Sequence, residues 1–326
     1  MTADLPLTRR SAVGSPIELL LTAAARGERC ALVTVLGIEG GAPRRRGAQL
    51  AVTASGEVAG SLSGGCLDAA VIAEAQAVLA AARSRRIRFG LDSPYVDVVL
   101  PCGSGLDLQF DGAIDTHTLT VIAACVARRQ VFTLAWSAPD RSPQCHAGAD
   151  ILTMGVTSGE AVVMHPNLRL VVAGASDNLR AMCRLAVTAG IDTVALATDR
   201  ALLDELSGYG VDTVYLASDT QLPAVVFDAH TAALTLFHEH DAELVFLRAA
   251  LAGPAFLVAA MGSVRAHAQR IERLRGLGVA DLSLQRLRGP FGLLPRARDP
   301  QELAISMLAE LFQVYREHCF PKECHF

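Results

Sequence analysis

Leu170-Val171-Val172-Ala173-Gly174-Ala175-Ser176-Asp177-Asn178-Leu179 is the stretch on which the fold turns. Four apolar residues in a row, Leu170–Ala173, read as a short strand buried on both faces. A glycine follows at once, and Asn178–Ala189 reads as a helix ended by Gly190. Strand, tight turn and helix then repeat. Thr193–Ala197, Val211–Ala217 and Ala224–Phe227 read as strands, Asp241–Ala252 as a helix, Ala255–Ala260 as a strand and the region of His267–Leu274 as a helix. This alternation predicts a doubly wound parallel sheet covered by helices. A last helix is signed by Asp299 as N-cap, Pro300 at its first position and Glu302 three residues after the cap.

The N-terminal half has another rhythm. A helix from about Pro16 to Arg26 leads into a β-branched strand, Cys30–Leu36, and Gln49–Thr53 and Glu57–Leu62 form a hairpin through Ser55-Gly56. An alanine-rich helix spans Leu67–Arg83, strands are expected at Ile87–Leu91 and Leu106–Phe110, a helix at Thr118–Arg128 and a strand at Val131–Trp136. Ser137–Asp150 reads as a polar loop, and His165-Pro166-Asn167 as the domain boundary. The expectation is therefore a mixed α/β N-terminal domain, 1–167, followed by a doubly wound domain, 168–326.

Composition narrows the chemistry. Of 29 Lys+Arg, the one lysine is Lys322 in the tail, which excludes a P-loop lysine, a Schiff-base lysine and a Ser-x-x-Lys hydrolase. A net charge of −4 offers no global field for nucleic acid. The chain is 51% hydrophobic, yet its uninterrupted apolar runs fall far short of the ~20 residues that span a bilayer. Neither nucleic acid nor membrane is expected as a partner. The eight cysteines contain no C-x-x-C pair and are expected as reduced thiols in the cytoplasm. Arg9-Arg10 opens like an export signal, but Pro16 and Glu18 interrupt the apolar region that would follow.

Four places carry candidate chemistry. At Gly174-Ala175-Ser176-Asp177 only the first glycine of a G-x-G-x-x-G dinucleotide turn is present; Asp177 reads as the helix N-cap, and Asp199 stands where a ribose-binding acid belongs. Gly262-Ser263-Val264-Arg265 follows a strand and opens a helix, which makes an anion pocket with Arg200 nearby. Cys66, after Gly64-Gly65 at a strand-to-helix turn, has the setting of a reactive or metal-ligating thiolate, with Arg44–Arg46 as a source of positive charge. Cys102-Gly103 is a second, similar loop, whereas Cys30, Cys125 and Cys183 sit on apolar elements and are read as core. His238-Glu239-His240-Asp241 lacks the i, i+4 spacing of a zinc helix, and His318-Cys319 with Cys324-His325 lies in a tail expected to fray.

The ordered set resembles the XdhC/CoxI family of xanthine dehydrogenase accessory proteins. Its carriers are Gly40-Gly41-Ala42-Pro43-Arg44 with Gly47, Gly60-Ser61-Leu62-Ser63-Gly64-Gly65-Cys66, Cys102-Gly103, Asp199-Arg200, His238–Asp241 and Gly262-Ser263 with Arg265. Pro290-Phe291-Gly292-Leu293 and Glu302–Ser306 with Ala309-Glu310 complete it. The resemblance implies a family-specific N-terminal domain, a Rossmann-like C-terminal domain, and a chaperone of the molybdenum cofactor rather than a turnover enzyme. Such a protein protects the cofactor, in plain or nucleotide form, supports its sulfuration by a cysteine desulfurase, and inserts it into a xanthine dehydrogenase-like molybdenum hydroxylase. Carried onto this chain, Cys66 approaches the metal. Arg44, Gly64, Gly65, Cys102, Gly103, Gly174, Asp199, Arg200, Gly262, Ser263 and Arg265 are the further cofactor contacts. Oligomeric state stays open, a homodimer included. This chain departs from the family at Ser176-Asp177, at Gly41 in place of serine and at Asp68 in place of glutamate. The alternative from another class is an NAD(P)-dependent oxidoreductase using the Rossmann-like domain.

Overall fold

The computed structural model describes residues 15–41, 44–62, 67–91, 93, 105–149, 160–216, 222, 225–237 and 241–319. The chain divides into two compact units between Pro166 and Asn167.

In the first unit, α1 (Pro16–Ala25) starts with proline at N1, and the Glu18 carboxylate accepts from the Ser15 N–H at 3.3 Å. The strands β1 (Cys30–Glu39), β2 (Gln49–Thr53), β3 (Val58–Gly60), β4 (Ser84–Gly90) and β5 (Gly105–Asp111) form an antiparallel sheet in the order β3-β2-β1-β5-β4. Period-two alternation splits it into two buried faces. Val33, Val35, Leu50, Leu108 and Phe110 pack against Val71 and Val78 of α2 (Asp68–Ala80). Leu32, Leu36 and Ala51 pack with α1, with Ile122 of α3 (Thr116–Ala127), and with Leu134 and Trp136 in and after β6 (Phe132–Ala135). On that second face β4 and β5 oppose Ser84 to Asp111, Arg86 to Gln109 and Arg88 to Asp107. The Trp136 indole N–H donates to both Asp111 oxygens, at 3.2 and 3.0 Å.

The reading of Ser137–Asp150 as loop alone is corrected by β7 (Gln144–Ala147), which pairs with β6 in a three-stranded sheet completed by β8 (Ala161–Met164). Only Cys145 of β7 is buried, so this polar edge strand carries no hydrophobic alternation to betray it.

The second unit is a six-stranded sheet in the order β11-β10-β9-β12-β13-β14, every ladder parallel. Its strands are β9 (Arg169–Gly174), β10 (Asp192–Ala197), β11 (Asp212–Tyr215), β12 (Thr231–Leu236), β13 (Leu257–Ala260) and β14 (Leu287–Arg288). The order reverses between β9 and β12, the switch point at which open α/β sheets gather ligands at the strands' carboxyl ends. One face is covered by α4 (Ser176–Thr188), α5 (Arg200–Gly208) and α9 (Pro300–Cys319), through residues such as Met182, Leu206, Met307 and Leu311. The other is covered by α6 (Asp241–Ala252), α7 (Val264–Gly276) and α8 (Asp281–Leu284), through Phe246, Leu247, Leu274 and Leu284.

The expected strand at Ala224–Phe227 is a second correction, since 225–227 is irregular and Val226 is 69% exposed. The central strand is instead Thr231-Ala232-Ala233-Leu234-Thr235-Leu236. It is buried throughout but alanine-rich, so propensity did not mark it.

Candidate functional site

In the first unit, β3 leads toward residues 63–66, which lie outside the described residues. Gly60 has φ +87°, and a Cβ there would lie 2.4 Å from the Gln49 carbonyl oxygen, so no side chain fits. Beyond it, Asp68 at the start of α2 accepts from the Ser61 hydroxyl at 2.7 Å and from the Leu62 N–H at 3.2 Å. Leu62 and Leu67 are both buried in the core. The Asp68 carboxylate thus ties the chain just after β3 to the start of α2. Arg44 joins the same anchor, its Nε donating to the Ser61 carbonyl at 3.0 Å. Arg46 goes elsewhere, to the Leu36 and Ala161 carbonyls at 2.7 and 2.6 Å, and burial lowers its pKa. Of the candidate residues here, Gly64, Gly65, Cys66, Cys102 and Gly103 lie outside the described residues, as do His238–His240.

The five described cysteines are buried, and none of them forms a disulfide. Burial pushes the thiols of Cys30, Cys145 and Cys183 up to about 12 and raises that of Cys125. These are inert packing groups, as read for Cys30, Cys125 and Cys183. Cys319 is not in a frayed tail: it closes α9 in a buried position, with Sγ 3.9 Å from His230 Nδ1.

In the second unit, Gly174, Asp199-Arg200 and Gly262–Arg265 all lie at the carboxyl ends of parallel strands, following β9, β10 and β13. A Cβ on Gly174 would sit 2.9 Å from Leu236 Cβ on β12. Ser176 stands at the position of a dinucleotide turn's second glycine with a left-handed φ of +64°, and its β-carbon and hydroxyl occupy the space through which the backbone would approach a pyrophosphate. Ser176→Gly is expected to raise the unfolding free energy by about 1 kcal/mol in urea titrations, by relieving that bend. Equal or lower stability would show that the serine carries a compensating bond.

The N-cap of α4 is Ala175, not Asp177. Asp177 lies inside the first turn and pairs with Arg180. Asp199 caps α5, accepting from the Ala201 and Leu202 N–H groups at 2.9 and 3.3 Å. Arg200 stacks its guanidinium 3.8 Å from the centre of the Tyr215 ring. Ser263 caps α7 through the Ala266 N–H at 3.1 Å, and Arg265 is exposed beside it. A cleft of 280 Å³ between α4 and the start of α9 is lined by Arg180, Arg184, Asp177 and Asp299. Its charges are already engaged, Arg180 with Glu205 and Asp177, Arg184 over the Tyr209 ring, and Asp299 with the Gln301 and Glu302 N–H groups.

Sequence reading passed over three residues under the Gly262 turn. Arg270 on α7 and Glu243 on α6 form a buried ion pair at 2.9 Å, each side chain 6% exposed. His267 lies one turn before Arg270, and a Cβ on Gly289 would come within 2.3 Å of its Nδ1. The available signal was spacing, since Arg270 stands four residues before the buried Leu274 and so shares its helical face.

Residues 23–90 match the model of the XdhC and CoxI family, and residues 170–311 match that of the XdhC Rossmann domain. The chain is 31% identical over 299 residues to a protein of Escherichia coli (strain K12) named molybdenum cofactor insertion chaperone PaoD, covering 90% of this chain and 87% of the relative. It also shares its fold with a crystal structure described as a xanthine dehydrogenase from Bacillus halodurans. The TM-score is 0.72 at 20% identity, over 95% of this chain and 98% of the other. With both halves matched in order and a relative aligned over nearly its whole length, the chain belongs to the XdhC and CoxI family.

Proposed function

We propose that the protein binds the molybdenum cofactor as cargo, protects it, supports its sulfuration by a cysteine desulfurase, and inserts it into a xanthine dehydrogenase-like molybdenum hydroxylase. The observation that carries this is the 31% identity, over 90% of the chain, to a relative named as a molybdenum cofactor insertion chaperone. The groups on hand suit such a cargo. Its phosphate calls for helix N–H groups and guanidinium forks rather than ammonium, and Gly262 is open enough that a Cβ would meet nothing nearer than 3.5 Å. Its metal calls for a thiolate. The burial-raised thiols of Cys30, Cys125, Cys145 and Cys183 are unsuited to that role, and the assignment to Cys66, with Cys102 second, rests on the sequence motif and the family resemblance. Arg44, which donates to the Ser61 carbonyl, is our candidate source of positive charge for that thiolate.

Among the described residues no helix is long and apolar enough to cross a membrane. We place the work in the cytoplasm on the strength of the client chemistry.

The oxidoreductase reading uses the same sheet but fails at its first turn. Ser176 and the 77%-exposed carboxylate of Asp177 stand where a pyrophosphate would approach. Purified full-length protein mixed with the cofactor and desalted is expected to retain molybdenum and pterin together, and Cys66→Ala to weaken retention about tenfold. Unchanged retention by that variant would remove Cys66 from the site. Binding of NAD(P)H with no retention of cofactor would favour the oxidoreductase.

A further inference from the structure

The pair beneath the Gly262 turn is incomplete as a structural element. The Arg270 Nη2 group donates to the Met261 carbonyl at 3.0 Å and to Glu243 Oε1 at 2.9 Å, and Glu243 Oε1 also accepts from the Thr235 hydroxyl at 3.3 Å. Arg270 Nε and Nη1 are buried and have no hydrogen-bond partner. A guanidinium carries five N–H donors, so three of Arg270's are unused in a place where an unpaired donor costs about 1–3 kcal/mol. An ion pair kept for stability alone is expected to satisfy its donors.

The pair lies against an exposed turn, with Nη2 the nitrogen nearest to it. Met261, whose carbonyl the arginine holds, is the last residue before Gly262, and Nη2 lies 3.8 Å from where a Gly262 Cβ would be. Gly262 has φ +127° and is exposed, so the backbone lies bare over the guanidinium. Directly after it α7 begins, a helix of 13 residues whose first N–H groups precede any intrahelical bond. His267 Nδ1 is also buried without a partner. Burial first, and Arg270's charge second, lower the pKa of His267, so this ring is neutral near pH 7 and does not compete as a cation.

We propose that Arg270 is the positioning cation beneath a phosphate-monoester seat at the Gly262–Arg265 turn, and that Glu243 sets the strength of that seat by partly neutralising Arg270. The inference rests on the cofactor reading only for which phosphate is natural. The seat itself is tested with inorganic phosphate.

Titration calorimetry of the full chain is expected to show saturable phosphate binding at about millimolar affinity. The two halves of the pair are expected to act with opposite signs: Arg270→Met weakens binding about tenfold, and Glu243→Gln tightens it about threefold, with Arg270→Lys restoring part of the loss. A purely structural pair predicts that both variants lower stability in urea and shift phosphate binding the same way or not at all, and that result would overturn the proposal. If Arg270→Met does not fold, Glu243→Gln and the exposed Arg265→Ala decide, expected to tighten and weaken binding respectively; any other pattern overturns it. No phosphate binding by the wild-type chain also overturns it, and leaves cofactor retention to stand or fall separately.

Discussion

Asp111→Asn is expected to stabilise the protein at pH 8 by up to about 4 kcal/mol and to leave it nearly unchanged at pH 4. Asp111 is fully buried, and burial pushes its carboxyl up to about 7 despite the Ser84, Trp136 and Gln109 hydrogen bonds and the charge of Arg86, which favour ionisation. The unfolded chain releases this proton near the ordinary aspartate value of about 4, so between pH 4 and 7 the folded state holds the extra proton. Stability from this group is complete below about pH 4, falls as pH rises, and is lost above about 7, where wild type carries a buried carboxylate. Asparagine keeps an acceptor for the indole N–H and never ionises. The chain's single tryptophan, Trp136, reports the event directly. Its emission is expected to titrate near pH 7 in wild type and to stay flat in the variant. A stability difference between the two that does not change with pH would contradict the assignment.

Gly60→Ala is expected to cost about 3 kcal/mol, from a left-handed backbone forced on alanine together with overpacking. The added Cβ would meet the Gln49 carbonyl oxygen at 2.4 Å and Pro16 Cγ at 2.8 Å, and a backbone oxygen of β2, paired with β1 at Thr34, cannot move away cheaply. Since Gly60 leads into Ser61 and Leu62, the variant should also loosen their hydrogen bonds to Asp68. Urea unfolding followed by circular dichroism measures the cost. A change below about 1 kcal/mol would show that the hairpin shifts to accommodate the methyl group.

What the sequence revealed, and what it hid, follows from the strength of local signals. The parallel sheet was legible because Leu170–Ala173 and Ala255–Ala260 are continuous apolar runs beside helix-opening turns, and β9 and β13 lie there. The strand β12 was hidden because two central alanines satisfy burial without β-branching, while Val225-Val226-Phe227 looks like a strand and is not one. The cap at Asp299 was legible because its side chain does the capping, whereas Asp199 and Ser263, read as ligand contacts, turn out to cap α5 and α7 as well. The same rule failed at Asp177, because Ser176 takes the left-handed bend and shifts the cap back to Ala175. In the site, spacing showed Gly262–Arg265 but not Arg270 and Glu243, which meet only when α6 and α7 pack on one face of the sheet. No local pattern encodes that meeting. Asp68 looked like a simple departure from its family, and its bonds to Ser61 and Leu62 depend on how the end of β3 meets the start of α2.

The central claim is that this chain carries the molybdenum cofactor, and the most direct measurement is molybdenum and pterin analysis of the full-length protein co-purified from its native host. The account predicts molybdenum and pterin in equal amounts on the wild-type chain and a loss of both with Cys66→Ala. Wild-type protein that carries neither, while its client enzyme matures normally in its absence, would contradict it.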